Sequence, residues 1–346
     1  MSNAHAPMRA LILGFGNVGK RVAEILFEER DRFPGLGALE LEVVGIATRS
    51  RGVILDPEGI DMREVLERIR RDGRISDSAA QNTDLTALIR ETSFDVLLEL
   101  TSLSIERKGS PAVDHVREAL RRGKHVVTAN KGPCAFAYRE LERLAHERDA
   151  RFLFESAVMD GAPVFGLARR ALLGCSVKGF AGILNSTTNF ILSQMEEGME
   201  FADALSEAQR RGVAETDPRH DVDGWDAAAK TAVLSNVLMD AGVTPFDVER
   251  VSVADVSISD VQAAAKRGER LKVVCRAGRL HGGLQASVNI ESFPVSHPFA
   301  LVQGMGNILE LQTDLMAPIR IVQTEPTLTD TAYGVLRDLL ELADVT

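Results

Sequence analysis

Gly14-Phe15-Gly16-Asn17-Val18-Gly19 directly follows an apolar run at residues 9–13 and opens a helical stretch at residues 17–29. Glycines at this spacing, set between a strand and a helix, permit a tight turn, let backbone amides approach a pyrophosphate and allow close helix-to-strand packing. The helix N-terminus favours the anion. An ordinary glycine turn can carry the same residues, so the surroundings must decide. Strand and helix signals go on alternating: a Val- and Ile-rich strand at 39–48, helices at 62–71 and 84–91, a buried strand at 94–100, a helix at 111–122 and a strand at 125–128. Pro111 at a helix start and Gly123 just past its end obey the usual capping asymmetry. The pattern predicts an α/β chain whose first 150 residues form a doubly wound, Rossmann-type, mostly parallel sheet.

After residue 151 the rhythm changes. A strand at 151–156, a helix at 163–173 and a strand at 177–184 lead into three helical segments, the last and longest at 223–241. Strand signals return at 271–276, 284–290, 308–312 and 319–323, and a helix at 330–342 closes the sequence. The 346 residues suit two cores better than one. The expected division is a dinucleotide-binding domain at 1–150, a mixed α+β domain at 151–322, and a C-terminal helical segment at 323–346.

A formal net charge of -10 argues against a general nucleic-acid or anionic-membrane binder, since those surfaces need an excess of Lys and Arg. Cys134, Cys175 and Cys275 lie far apart, which indicates neither a zinc site nor a disulfide framework and suits a reducing cytoplasm. Residues 1–7 lack the pattern of a signal peptide and read as a disordered leader, and no stretch approaches the ~18 apolar residues of a membrane span.

At the end of the second strand an NAD site usually carries Asp or Glu for the ribose hydroxyls, whereas this sequence runs Ala47-Thr48-Arg49-Ser50-Arg51. Arg49 and Arg51 with two hydroxyls suit a 2′-phosphate, so the expected cofactor is NADP, with NAD as the alternative; a solvated loop is the bland reading. Thr101-Ser102 and Thr128-Ala129-Asn130-Lys131-Gly132-Pro133 follow strands, where open α/β sheets bind ligands, and Lys131 there is a candidate contact to substrate or cofactor. Asp226 and Lys230 are four apart on a strongly helical segment and share one face. By itself that spacing favours an exposed ion pair, worth ~0.3–0.5 kcal/mol. Glu215, Asp217, Asp221 and Asp223 crowd the preceding loop, either to bind an ammonium or cation or as a solvated acidic turn. Ser186-Thr187-Thr188-Asn189 offers donors at a strand-to-helix junction, part of which N-capping explains.

Taken in order, these residues resemble the homoserine dehydrogenase family over nearly the whole chain. The match includes Gly14 to Gly19; Thr128-Ala129-Asn130-Lys131-Gly132-Pro133; Glu155-Ser156-Ala157-Val158 with Gly161-Ala162-Pro163; Asn185-Ser186-Thr187-Thr188-Asn189; the segment from Ala214 to Lys230; and His297-Pro298-Phe299-Ala300-Leu301-Val302 followed by Asn307. The resemblance implies reversible reduction of L-aspartate 4-semialdehyde to L-homoserine, in the threonine and methionine branch of amino-acid synthesis. It implies Lys230 as acid/base residue oriented by Asp226; Glu215, Asp221, Asn185, Thr187 and Lys131 around the substrate; and Gly14, Phe15, Gly16, Asn17, Val18, Gly19, Arg49, Arg51, Thr101, Ser102 and Lys131 around the cofactor. The backbone carbonyls of Glu155, Val158, Asp160 and Ala162 correspond to the family's monovalent cation site, for Na+ or K+, of structural kind. It further implies that the C-terminal segment 323–346 returns to the dinucleotide-binding domain, a homodimer through the second domain, and no regulatory extension.

Two other readings stand beside this one: a related semialdehyde or hydroxy-amino-acid dehydrogenase, and a cofactor-binding homologue without catalysis. Retention of Glu215, Asp226 and Lys230 in register argues against the second. Two segments depart from the family pattern. Ser186 stands where a glycine is usual, and residues 323–327, Gln-Thr-Glu-Pro-Thr, replace a glycine-rich run ahead of the final helix. Pro326 fixes φ and Glu325 adds negative charge, so weaker cofactor binding is expected if this run meets the cofactor, and no effect if it is routed into solvent.

Overall fold

The computed structural model describes residues 6–76, 84–280 and 283–343, so residues 1–5 of the expected leader lie outside the described part. The chain divides into two compact units: residues 1–133, 137–163 and 327–346 form the first, and residues 134–136 and 164–326 the second. Each unit is built on a six-stranded sheet.

In the first unit the strands are β1 (Met8–Leu13), β2 (Leu41–Thr48), β3 (Gly52–Leu55), β4 (Val96–Glu99), β5 (His125–Thr128) and β6 (Phe152–Leu153), in spatial order β3-β2-β1-β4-β5-β6. All neighbours are parallel except β3, which turns back antiparallel on β2. The expected Rossmann-type sheet is therefore present, with a hairpin at one edge that the sequence signals did not reveal. Strand order reverses between β1 and β4, the place where open α/β sheets form their crevice. One face of the sheet, through Ala10, Ile12, Ile46, Val96, Leu98 and Val127, shares a core with the helices Asn17–Ala23, Met62–Asp72 and Leu328–Leu342.

Local chemistry explains these helices. Asp61 caps Met62–Asp72 by accepting from the amides of Arg63 and Glu64, and Gly73, at φ +69°, ends it in the left-handed conformation. Its buried residues Met62, Val65, Leu66 and Ile69 recur at the three-to-four spacing of one helical face. Leu328–Leu342 starts from a capping box between Thr327 and Asp330 and buries Ala332, Val335, Leu336 and Leu339. Its Asp338 and Arg337 reach the segment after β6: Glu155 N–H donates to Asp338 Oδ2 at 2.7 Å, and Arg337 pairs with the fully buried Glu155 carboxylate. Those bonds explain why the strand expected at 151–156 stops at Leu153.

The second unit has β7 (Val177–Ile183), β8 (Glu249–Arg250), β9 (Glu269–Leu280), β10 (Gly283–Pro294), β11 (Asn307–Thr313) and β12 (Ile319–Gln323), in order β12-β11-β7-β9-β10-β8. Neighbours are antiparallel except β8 and β10, which makes the sheet mixed. The helix Trp225–Met239 is buried from Ala227 to Ala229 and from Thr231 to Asn236, so it carries apolar or small residues all round instead of on one stripe. Gly224 precedes it at φ +77°, with the place of a Cβ only 2.9 Å from the Val251 carbonyl oxygen; no other residue fits there without strain. Among the described residues, no helix is long and apolar enough to cross a membrane.

Candidate active site

On the first unit, the glycine-rich turn lies at the C-terminal ends of β1 and β4. Gly14 has φ +88°, and a Cβ on it would lie 2.6 Å from the Leu100 carbonyl group, so β1 and β4 close on each other only through glycine. A Cβ on Gly16 would meet nothing within 4 Å, and Gly16 caps the helix Asn17–Ala23 without a side chain. Backbone amides at an uncovered helix start are the donors a pyrophosphate takes. Gly19 packs the helix onto the turn, the place of its Cβ lying 3.0 Å from Gly14 O. Phe15 is buried and anchors the loop, while Asn17 is exposed and Val18 half-buried.

Beside it, the hairpin turn between β2 and β3 consists of Arg49, Ser50 and Arg51. Thr48 Oγ1 accepts from Arg51 N–H at 2.8 Å and donates to Gly52 O at 3.1 Å, which sets the turn. Arg51 Nη1 donates to the Phe15 carbonyl at 3.0 Å, so one of the two arginines lies against the glycine-rich turn; Arg49 is exposed.

Across the crevice, Thr101, Asn130 and Thr128 belong to a buried network that sequence reasoning missed. Glu99 is wholly buried, takes the Thr101 hydroxyl as donor, and lies 3.4 Å from Nδ1 of the buried His115. Thr128 Oγ1 donates to Glu99 O at 2.8 Å, and Asn130 Nδ2 donates to Thr101 O at 2.9 Å. The only signal was an acidic residue ending an otherwise apolar strand. Ser102 is exposed beside this network. Lys131, half-buried, opens the helix Lys131–Glu147, whose Asn130 cap accepts from Gly132 N–H at 2.8 Å; this helix was not expected from the sequence.

The segment that holds Glu155, Val158, Asp160 and Ala162 includes a turn of unusual backbone, where Met159, Asp160 and Gly161 all have positive φ, at 57°, 45° and 81°. The Glu155 side chain itself is taken up by Arg337.

On the second unit, β7 runs out through Leu184 and Asn185 into the helix Ser186–Glu196, and the short helix Arg219–Val222 and the start of Trp225–Met239 meet that junction. Asn185 caps Ser186–Glu196 by accepting from Thr188 N–H at 2.8 Å, which turns its amide nitrogen toward two carboxyl groups: Asp221 Oδ1 at 2.7 Å and Asp226 Oδ2 at 2.9 Å. Lys230 Nζ lies 2.9 Å from the same Asp226 oxygen and donates to Leu184 O at 2.6 Å. With side chains only 13% and 17% exposed, Lys230 and Asp226 are not the solvated pair their spacing alone allowed. Thr187 Oγ1 lies 2.9 Å from Asp221 Oδ2. Burial, then the neighbouring Asp226, pushes the Asp221 carboxyl above the usual carboxylate range.

Asn185, Thr187, Asp221, Asp226 and Lys230 are thus brought together. Glu215 is exposed, its carbonyl accepting from Gln209 Nε2 at 3.2 Å, and its carboxylate joins none of these bonds. Ser186 is right-handed helical backbone and accepts from Asn307 Nδ2 at 3.2 Å, so no positive φ demands glycine there. In the other departure, Gln323 ends β12, Glu325 is exposed, and Thr327 begins the cap of Leu328–Leu342.

Comparison with known proteins matches residues 14–155 to the homoserine dehydrogenase NAD-binding domain and residues 163–340 to the homoserine dehydrogenase family model. The chain is 34% identical to an NAD(+)-dependent homoserine dehydrogenase of Pseudomonas canavaninivorans, over 96% of this chain and 95% of that one. It is 34% identical to the homoserine dehydrogenase of Methanocaldococcus jannaschii, over 98% and 99%. Among solved structures it resembles a putative homoserine dehydrogenase from Archaeoglobus fulgidus, with TM-score 0.85 and 33% identity over 97% and 99%. A hyperthermophilic archaeal homoserine dehydrogenase in complex with NADPH gives TM-score 0.80 and 31% identity, over 97% of each chain.

Proposed function

The chain belongs to the homoserine dehydrogenase family, and from that premise we propose that it interconverts L-aspartate 4-semialdehyde and L-homoserine, using NADP in preference to NAD. It is an oxidoreductase with a nicotinamide-dinucleotide-binding domain. The observation that carries the mechanistic reading is the half-enclosed Lys230–Asp226 pair, hydrogen-bonded into one cluster with Asn185 and Asp221. When bound, the dinucleotide supplies or removes hydride. Lys230 holds the proton that the substrate oxygen gains in reduction and loses in oxidation. Asp226 balances its charge, and the Leu184 carbonyl fixes its direction. Asp221 and Glu215 serve the substrate's ammonium group, Lys131 the substrate and cofactor, and Thr101 and Ser102 the cofactor.

The NADP preference is supported by a β2 end without a carboxylate and by Arg51 beside the glycine-rich turn. A Na+ or K+ ion on the carbonyls of Glu155, Val158, Asp160 and Ala162, and a homodimer through the second unit, belong to the same proposal; sedimentation of the purified chain tests the latter. In the spectrophotometric assay we expect turnover of L-homoserine with kcat/KM larger for NADP than for NAD, and a larger value for NAD overturns the preference. Lys230→Ala should keep cofactor binding while turnover falls by ~10²-fold or more, the loss expected of a general acid/base. Unchanged turnover removes Lys230 from the mechanism. Ser186, next to Asn185 where the family has glycine, favours a second reading with a shifted substrate. Assaying other short hydroxy amino acids against homoserine separates the two.

A further inference from the structure

Thr187 Oγ1 lies 2.9 Å from Asp221 Oδ2 and 3.2 Å from the Val213 carbonyl oxygen. A hydroxyl has one hydrogen, and a carbonyl oxygen can only accept. With Asp221 as a carboxylate, Thr187 faces two acceptors with a single donor. With Asp221 as an acid, its Oδ2–H donates to Thr187, Thr187 donates to Val213, and every contact is met. Asp221 Oδ1 accepts from Asn185 at 2.7 Å in either state, and the Asn185 amide is held in that orientation by Thr188 N–H.

Charge points the same way. Asp226 and Lys230 are the charged groups that face Asp221 from the helix Trp225–Met239, and Lys230 is engaged with Asp226 at 2.9 Å. The helix Ser186–Glu196 presents neutral groups, Thr187 and its Asn185 cap. On the short helix of Asp221 itself, Arg219 and His220 are exposed, Arg219 being paired with Asp217, and on the segment of Val213 the charged group is the exposed Glu215. Two carboxylates against one ammonium would leave an uncompensated charge in a partly dry site, which burial and like-charge repulsion both disfavour.

We propose that Thr187 is a positioning residue that holds Asp221 as a neutral acid in the substrate-free site, so that Asp221 adds its negative charge only when an organic ammonium group arrives to match it. This deepens, and rests on, the reading of the substrate as an α-amino acid. On binding, the Asp221 O–H bond breaks, its proton leaves to solvent, the carboxylate pairs with the ammonium, and the Thr187 hydrogen turns from Val213 to Asp221. A hydroxy acid of equal length without the amino group brings no cation and leaves the acid protonated. The couple thus selects for amino acids over plain hydroxy acids.

Infrared spectroscopy of the full chain without substrate at pH ~6, well above the ordinary carboxylate range, tests the idea. We expect a carboxylic-acid carbonyl band that Asp221→Asn abolishes. Thr187→Ser should leave the band in place, and Thr187→Val should move it to higher frequency as the acid loses its acceptor. L-homoserine should bleach the band and release about one proton to an indicator dye, the amount one titrating carboxyl provides, while 4-hydroxybutanoate should do neither. No Asp221-dependent band, or a band indifferent to both Thr187 variants, overturns the positioning role; a band that L-homoserine leaves untouched overturns the selection. Should Asp221→Asn fail to fold, carbon-13 NMR titration of aspartate-labelled wild type, with the Thr187 variants, reads the same carboxyl. Absence of homoserine turnover would refute the proposed function alone, because the empty-site band needs no substrate.

Discussion

Lys272 has no exposed surface, and its Nζ donates to Asn189 Oδ1 at 3.0 Å and to the Val302 carbonyl at 2.9 Å without a carboxylate among those partners. Burial pushes its pKa down to about 8. Above that value the folded chain leaves Lys272 neutral while the unfolded chain still binds its proton up to about 10.5, so stability gains from this residue as pH rises through that window. The gain is roughly 3 kcal/mol in total. Lys272→Met should therefore flatten the rise in the urea midpoint between pH 8 and 10 relative to wild type; parallel curves would mean that the lysine keeps its proton when folded. Ser186→Gly makes the opposite kind of test. Since its backbone is ordinary helix and its hydroxyl holds the buried Asn307, glycine should lower stability by ~1–2 kcal/mol in denaturant titrations. A more stable variant would reveal strain at residue 186. At this scale the sequence carried the Asp226–Lys230 pairing, because helical spacing alone puts them on one face. It could not carry Glu99 with His115, or Lys272 with Asn189, whose partners lie 16 and 83 residues away.

Among the elements, those with long periodic signals were legible, and the misses have local causes. Gly132-Pro133 directly after Lys131 interrupts the helical pattern, yet proline is tolerated in the first turn of a helix, where its missing amide has no partner to lose, so Lys131–Glu147 went unseen. The hairpin strand Gly52–Leu55 is too short to show a period, and β9 and β10 extend past their apolar centres into charged ends. The helix Leu328–Leu342 was legible almost to its ends, and Leu336, 1% exposed, sits in its core. Leu336→Ala should cost ~2–5 kcal/mol, read from thermal or urea unfolding. A smaller loss would mean that the helix docks loosely. The glycine-free run before it allows a sharper test now that Thr327 is seen to cap the helix with Asp330. Replacing only residues 324–326 by glycines spares that cap, and tighter NADPH binding by fluorescence titration is expected if Pro326 and Glu325 impede the cofactor. Unchanged affinity in a folded variant would place the run away from it.

For the whole molecule, alternation of strand and helix made the first sheet and its class readable, whereas the return of the last segment to it was expected only from the family resemblance, because no local signal carries it. A sheet can recruit a helix from any distance along the sequence, and here the first unit takes residues 327–346 across the entire second unit. That discontinuity sets an order of events during synthesis. A ribosome that has released the chain as far as Pro326 has delivered all of the second unit, while the first still lacks Ala332, Val335, Leu336 and Leu339 from its core and Arg337 from the buried Glu155. The half made earliest is therefore the half finished later, and during that interval its apolar sheet face is a natural client for chaperones.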